Sequence, residues 1–325
     1  MILLNPGPVN VSARVREALL ESEMCHREPE YAAIQEETRS LLRELFAPGH
    51  EALLLAGSGT AAVEAAISSC VPPRGRMMVL VNGVYGRRMA DIGRAYGIEV
   101  IEKRGPWNEP IEPEACDCDL VAMAHHETTT GVLNRFRDAG VPVLLDAISS
   151  IGAEDLPPAD IIVGTANKCI QGVPGAAFVL AKERHLRHAA RNYYLHLPRY
   201  REGIPFTPAI PAVLALREAL LELKEETVAR RGERYRQAAG LLREGFERMG
   251  LQLYLKPEHR SSSLTTVHLP MEYDLLHDRL KAEGYVIYKG AMEGVFRVAN
   301  MGWIPSRELR RFLSVLEETI CMRSC

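Results

Sequence analysis

Lysine is scarce in this 325-residue chain: 7 of its 39 basic residues are lysine and the other 32 are arginine. Each lysine is therefore informative, above all one placed among apolar strand residues, whereas most of the arginine reads as composition. Net charge is small too, formally -3, which excludes a basic field for nucleic acid or an anionic membrane. No apolar run approaches the roughly 20 residues that span a bilayer. The opening MILLNPGPVN lacks the basic and apolar regions of a secretory signal, so the expected location is the cytoplasm. Cysteines are few and odd in number: Cys25, Cys70, Cys116, Cys118, Cys169, Cys321 and Cys325. That scatter fits a reducing compartment and excludes a bridged scaffold. Cys116 and Cys118 have no further ligands beside them to make a metal site.

What remains is ordinary for a globular chain: 47% hydrophobic and 25% charged residues, enough for a sizeable core. At roughly 150 residues per domain the length suggests about two domains. Short apolar runs at 53–57, 77–82, 99–103, 120–125, 141–146, 161–164 and 177–181 read as strands buried on both faces. Helical patterns such as 59–69 and 87–96 lie between them. This alternation predicts an α/β fold with a mostly parallel seven-stranded sheet and helices on both faces. We expect a large domain over 1–210, with segment 1–12 near the site. A long connecting helix is expected over 211–249, and a small C-terminal α+β domain over 250–325. Within the latter the pattern gives strands at 264–268, 285–287 and 295–298 and helices at 273–283 and 306–318.

Ligands of open parallel sheets sit at the carboxyl ends of the strands, and polar residues cluster there. Gly57-Ser58-Gly59-Thr60 opens a helix and suits either a phosphate or a plain helix cap. His125-His126-Glu127-Thr128-Thr129-Thr130-Gly131 is dense in polar groups. Hydroxyl-capped turns explain it better than a metal site, because adjacent residues on an extended segment face opposite ways. Asp146 ends an apolar strand, where a carboxylate needs a partner. Lys168 ends another. An ammonium there either reaches solvent or, poorly solvated, becomes a nucleophile. A phosphate cradle, a strand-end Asp and a strand-end Lys are together what pyridoxal phosphate requires: Asp146 to keep the ring nitrogen protonated and Lys168 to hold the aldehyde carbon. The loop has neither G-x-G-x-x-G spacing nor a P-loop Gly-Lys-Ser/Thr.

Nine segments carry a family resemblance: Asn5-Pro-Gly-Pro8, Cys25-His-Arg-Glu-Pro-Glu30, Gly57–Thr60, Asn82-Gly-Val-Tyr-Gly86, His125–Gly131, Asp146-Ala-Ile-Ser-Ser150, Ala166-Asn-Lys-Cys-Ile-Gln-Gly172, Phe206-Thr-Pro208 and Phe296-Arg-Val-Ala-Asn-Met-Gly302. In this order the chain resembles the class V, fold-type I aminotransferases that depend on pyridoxal phosphate, and most of all the 2-aminoethylphosphonate–pyruvate transaminases. The resemblance implies that Ser58, Gly59 and Thr60 hold the cofactor phosphate and that Tyr85 stacks on its ring. It implies that Thr129 bonds the ring hydroxyl side and that Ile148 packs beneath the ring. Asp146 would pair with the ring nitrogen, and Lys168 would be the Schiff-base lysine. Thr207 would reach the phosphate of a neighbouring subunit's cofactor, which implies a homodimer with shared sites. Arg297, on a strand flanked by apolar residues, would bind the substrate anion through two parallel hydrogen bonds, with Asn5 and Gly7 folded over the site.

The implied reaction is a ping-pong transfer from 2-aminoethylphosphonate to pyruvate, giving phosphonoacetaldehyde and alanine. An alanine– or serine–glyoxylate transaminase is the nearest rival. Such relatives usually carry tryptophan where Tyr85 stands. A cofactor-binding regulator without catalysis is the remote one, opposed by Lys168, Asp146 and Arg297. No metal, nucleic acid or membrane is expected among the partners.

Overall fold

Runs of Val, Leu, Ile, Met and Ala without polar alternation should form strands covered on both faces, and they do. The computed structural model describes residues 1–325 except 22, 189 and 322–325, so Cys325 lies outside the described residues. Strands β1 (Glu51–Gly57), β2 (Arg76–Val81), β3 (Glu99–Arg104), β4 (Leu120–Ala124), β5 (Val143–Asp146), β6 (Ile161–Thr165) and β7 (Gly175–Ala181) form one seven-stranded sheet. Its order is β1-β7-β6-β5-β4-β2-β3, with β7 antiparallel to both neighbours and the rest parallel. Every residue of β4, β5 and β6 is buried. β3, at the edge, is half-exposed and carries Glu99 and Arg104 toward solvent, as an unpaired edge requires.

Two apolar clusters cover the sheet. One holds Val63 and Ile67 of helix α2 (Gly59–Cys70) and Met89 of helix α3 (Val84–Ala95) against Leu53, Val79, Leu144 and Val163. The other packs Leu41 and Leu42 of helix α1 (Pro29–Phe46) and Leu216 and Leu220 of helix α4 (Ile210–Glu226) on Met78, Leu145 and Phe178. Helix α3 starts three residues before the expected Arg87, for a reason that belongs to the site.

The expected single helix over 211–249 is two. Helix α4 ends at Glu226 and helix α5 (Val228–Arg248) begins after Thr227, whose φ is 73°. Thr227 breaks the first helix and caps the second: its N–H donates to Leu223 O at 2.8 Å and its hydroxyl accepts from Arg230 N at 3.3 Å. The bend leaves α4 on the large sheet. Leu242 and Phe246 of α5 join a third core with Phe312 and Leu316 of the last helix, Ser306–Cys321. That core lines a three-stranded antiparallel sheet in the order β8 (Leu264–His268), β10 (Val295–Ala299), β9 (Tyr288–Lys289). The expected strand at 285–287 is divided. Tyr285–Val286 pairs in parallel with Ile2–Leu3, and Tyr288–Lys289 pairs with β10. The N-terminal segment is thereby anchored in the third core, with Leu4 buried there, before it reaches the large sheet. Among the described residues no helix is long and apolar enough to cross a membrane.

Candidate active site

A cavity of about 390 Å³ opens at the carboxyl ends of β1, β5 and β6 and is lined by Gly7, Ser58, Gly59, Thr60, Tyr85, Arg88, Asp146, Ile148, Asn167 and Lys168, among others. Eight of the twelve residues singled out from the sequence therefore meet in one place, together with the polar side chains of Arg88 and Asn167. A larger hollow of about 520 Å³ lies between α4, α5 and the last helix. Its Glu226 is already paired with Arg231 and Arg234, and neither lysine nor cysteine lines it.

The cradle side is built by the β1–α2 turn. Ser58 stands at the N-cap of α2, yet its hydroxyl caps nothing. The backbone N–H groups of Gly59 and Thr60 find no acceptor among the described residues. A first turn with open amides and an unused hydroxyl is a seat for an anion. Gly59 has to be glycine, because a Cβ there would come within 2.5 Å of Ile148 Cδ1. Ile148 is thus pressed onto the floor between cradle and carboxylate.

Asp146 ends β5 and is buried. Ile148 N donates to its Oδ1 at 3.0 Å, and its Oδ2 has no partner among the described residues. Burial pushes the carboxyl up to about 6, against the pull of that N–H. Lys168 follows β6. Its Nζ donates to Pro6 O, and burial brings the ammonium down to about 8, with the Asp146 charge acting the other way. Two groups of opposite charge, each pushed toward its neutral form, mark a site that gains from a ligand joining them. Gly7, with φ 116°, covers the lysine: a Cβ there would stand 3.1 Å from Lys168 Cε. Asn5 does not line the cavity. Its Nδ2 donates to Pro8 O at 2.9 Å and shapes the turn that places Gly7.

Thr129 is also off the cavity. Its hydroxyl donates to Glu127 Oε1 and accepts from Val84 N at 2.9 Å, so it braces helix α3. Glu127 is the centre of that brace. It is buried, and it accepts from Tyr85 N at 3.0 Å, Gly86 N at 3.3 Å and Thr129 N at 3.1 Å. Burial raises its pKa and these donors lower it. The carboxyl caps α3 from another element, which explains the early start. Gly83 leaves it room, since a Cβ there would collide with the Glu127 carboxyl. His125 and His126 are buried beside it, held neutral by burial at about 3 and about 4, with Nδ1 atoms near Ser150 Oγ (2.9 Å) and Ser149 O (3.2 Å). Among the described residues no cluster of His, Cys, Asp and Glu is arranged to hold a metal ion.

Arg297 approaches from the small sheet. Its Nε and Nη2 donate to Lys289 O at 3.1 and 2.7 Å, its Nη1 donates to Thr128 O at 2.7 Å, and its guanidinium lies 4.9 Å from the Tyr288 ring centre. No carboxylate pairs with it among the described residues. Burial lowers its pKa, and Tyr85, Tyr288 and Glu127 act against that, Tyr85 first. It is a buried cation fixed by neutral carbonyls, hence able to receive an anion. Thr207 is exposed and lines a shallow surface depression with Tyr31, Gln35 and Phe206, away from its own chain's cavity. Neither Arg88 nor Glu127 is among the residues singled out from the sequence. The signal for Arg88 was its spacing, three residues beyond Tyr85 and so on the same helical face.

A mostly parallel seven-stranded sheet, with a lysine and an aspartate meeting at its strand ends and an arginine arriving from a smaller unit, defines the fold-type I aminotransferases. Ureidoglycine–glyoxylate aminotransferase from Bacillus subtilis superposes with a TM-score of 0.93 over 99% of this chain and 93% of its own, at 26% identity. The chain is an aminotransferase of that fold. No family model matches it. Full-length relatives decide the branch. The 2-aminoethylphosphonate–pyruvate transaminase of Bacillus cytotoxicus is 32% identical, with 98% of both chains covered. That of Vibrio vulnificus is 34% identical over 98% of this chain and 97% of the relative. The chain belongs to the 2-aminoethylphosphonate–pyruvate transaminase family.

Proposed function

We propose that this chain transfers the amino group of 2-aminoethylphosphonate, or a close aminophosphonate, to pyruvate, giving phosphonoacetaldehyde and alanine, with pyridoxal phosphate as cofactor. The observation that carries the reading is the Asp146–Lys168 pair in one cavity, the carboxyl raised to about 6 and the amine lowered to about 8. The residues fit the cofactor. Ser58 and the open amides of Gly59 and Thr60 suit its phosphate, Asp146 Oδ2 its ring nitrogen, Tyr85 and Ile148 the two faces of its ring, and Lys168 Nζ its aldehyde. When bound, it supplies an aldehyde for amines and a cationic ring that draws electrons from the substrate carbon.

The chain's own groups do the rest. Asp146, ionised beside a ring N–H, keeps that proton in place. Lys168 is largely charged at neutral pH but needs little to lose its proton, so its Nζ serves as nucleophile and then as the base that takes the proton from the carbon bearing nitrogen. Gly7 and Pro6 cover it and limit water. Arg297, stacked on Tyr288 and held by two carbonyl groups, offers its remaining N–H donors to a phosphonate in one half-reaction and a carboxylate in the other. Thr207 extends toward a second subunit's site in a homodimer.

The test is a half-reaction followed by the visible absorbance of the bound cofactor. Addition of 2-aminoethylphosphonate alone should convert the cofactor to its amine form, and pyruvate should restore it. A protein that ignores this amine and responds to alanine or serine with glyoxylate would keep the chemistry and overturn the substrate.

A further inference from the structure

We propose that Arg88 completes the anion cradle and holds the phosphate end of the cofactor. This rests on the pyridoxal phosphate reading above and adds a residue to it. Arg88 lies on α3 and turns inward to line the cavity. Its Nη1 donates to Thr60 Oγ1 at 3.1 Å, and its guanidinium lies 4.8 Å from the Tyr85 ring centre. These are its hydrogen-bond and ring contacts among the described residues; the Asp146 carboxylate feels its charge across the cavity, without a hydrogen bond or ion pair between them. The other arginines of the same helix behave differently. Arg94 pairs with Asp91 and Glu102, and Arg87 lies exposed, 5.6 Å from the Trp107 ring centre.

A part-buried guanidinium with five N–H donors and one hydrogen bond is poorly satisfied unless an anion completes it. The anion's place is set by Thr60. Because Thr60 Oγ1 accepts from Arg88, its own proton points elsewhere, and no acceptor for it exists among the described residues. Thr60, the Ser58 hydroxyl, the two open amides of α2 and the arginine all line the same cavity. A dianionic phosphate fits a cradle of this charge, and the guanidinium can meet two of its oxygens.

The test compares pyridoxal phosphate with pyridoxal, which lacks the phosphate, in binding titrations of the cofactor-free protein. In Arg88→Gln the dissociation constant for pyridoxal phosphate should rise by about tenfold or more, while that for pyridoxal changes less than about twofold. Arg88→Lys should recover part of the loss. The phosphorus resonance of the bound cofactor should stay constant between pH 6 and 8 in the unaltered protein and titrate in Arg88→Gln. Equal weakening of both ligands, or no weakening of either, would overturn the inference, with circular dichroism confirming that the variant is folded. An unaltered protein that binds neither ligand would overturn the cofactor reading itself, and the inference with it.

Discussion

The two sides of the active site are satisfied in opposite ways. On the large-sheet side polar atoms are left over: the Ser58 hydroxyl, the first amides of α2, Asp146 Oδ2 and most of the Arg88 donors lack protein partners among the described residues. On the small-sheet side Arg297 is held through all three of its nitrogens by Lys289 O and Thr128 O and lies against Tyr288. The first arrangement is built for a resident group that stays and satisfies the leftovers. The second is a guanidinium whose position the protein itself fixes, as the proposed exchange of one substrate anion for another would require.

Substitutions separate the two sides. Lys168→Ala should remove turnover, by about a thousandfold or more, and abolish the covalent visible band while the protein stays folded. Turnover within tenfold of the unaltered rate would break the account. Asp146→Ala should lower kcat by about a hundredfold or more, because nothing then keeps the ring nitrogen protonated; pre-steady-state half-reactions measure it. Arg297→Lys should act elsewhere, raising KM for amine and keto acid alike by about tenfold or more, with cofactor binding unchanged. An effect on cofactor affinity instead would erase the contrast between the sides.

The pH response sharpens the first side. Lys168 in the cofactor-free protein has its pKa lowered to about 8 from 10.5 by burial. It is therefore protonated below about pH 8 and free above it. The rate of pyridoxal phosphate capture should fall about tenfold per unit as pH drops below 8 and level off above it. Stopped-flow absorbance would show an ordinary lysine as a rise continuing toward 10.5. The smallest effect concerns the brace. Thr129→Val removes a donor to Glu127 and an acceptor for Val84 N, and should cost about 1–3 kcal/mol of stability by denaturant titration. Cofactor affinity should stay within about threefold. A large loss of affinity at full stability would return Thr129 to the cofactor.

Much of the large sheet was legible because strands buried on both faces read as unbroken apolar runs, and a charged residue ending such a run is conspicuous. Asp146 and Lys168 were found that way, and the rarity of lysine helped. Arginine had the reverse property: Arg88 is one of 32 and was lost among them. Thr129 was placed by its neighbours in a polar run, where residues alternate in direction and only the partner across space, Glu127, decides which way a hydroxyl points. The break at Thr227 left no trace in a Leu-, Ala-, Glu- and Arg-rich stretch, since no Gly or Pro marks it. The split of 285–289 between two sheets depends on the N-terminal segment arriving from the far end of the chain, which no local pattern announces.

The proposed chemistry requires one covalent address. Borohydride reduction of the protein loaded with pyridoxal phosphate, followed by peptide mass mapping, should place the cofactor on Lys168 alone among the seven lysines. Labelling spread over several lysines, or seated on another one, would contradict it.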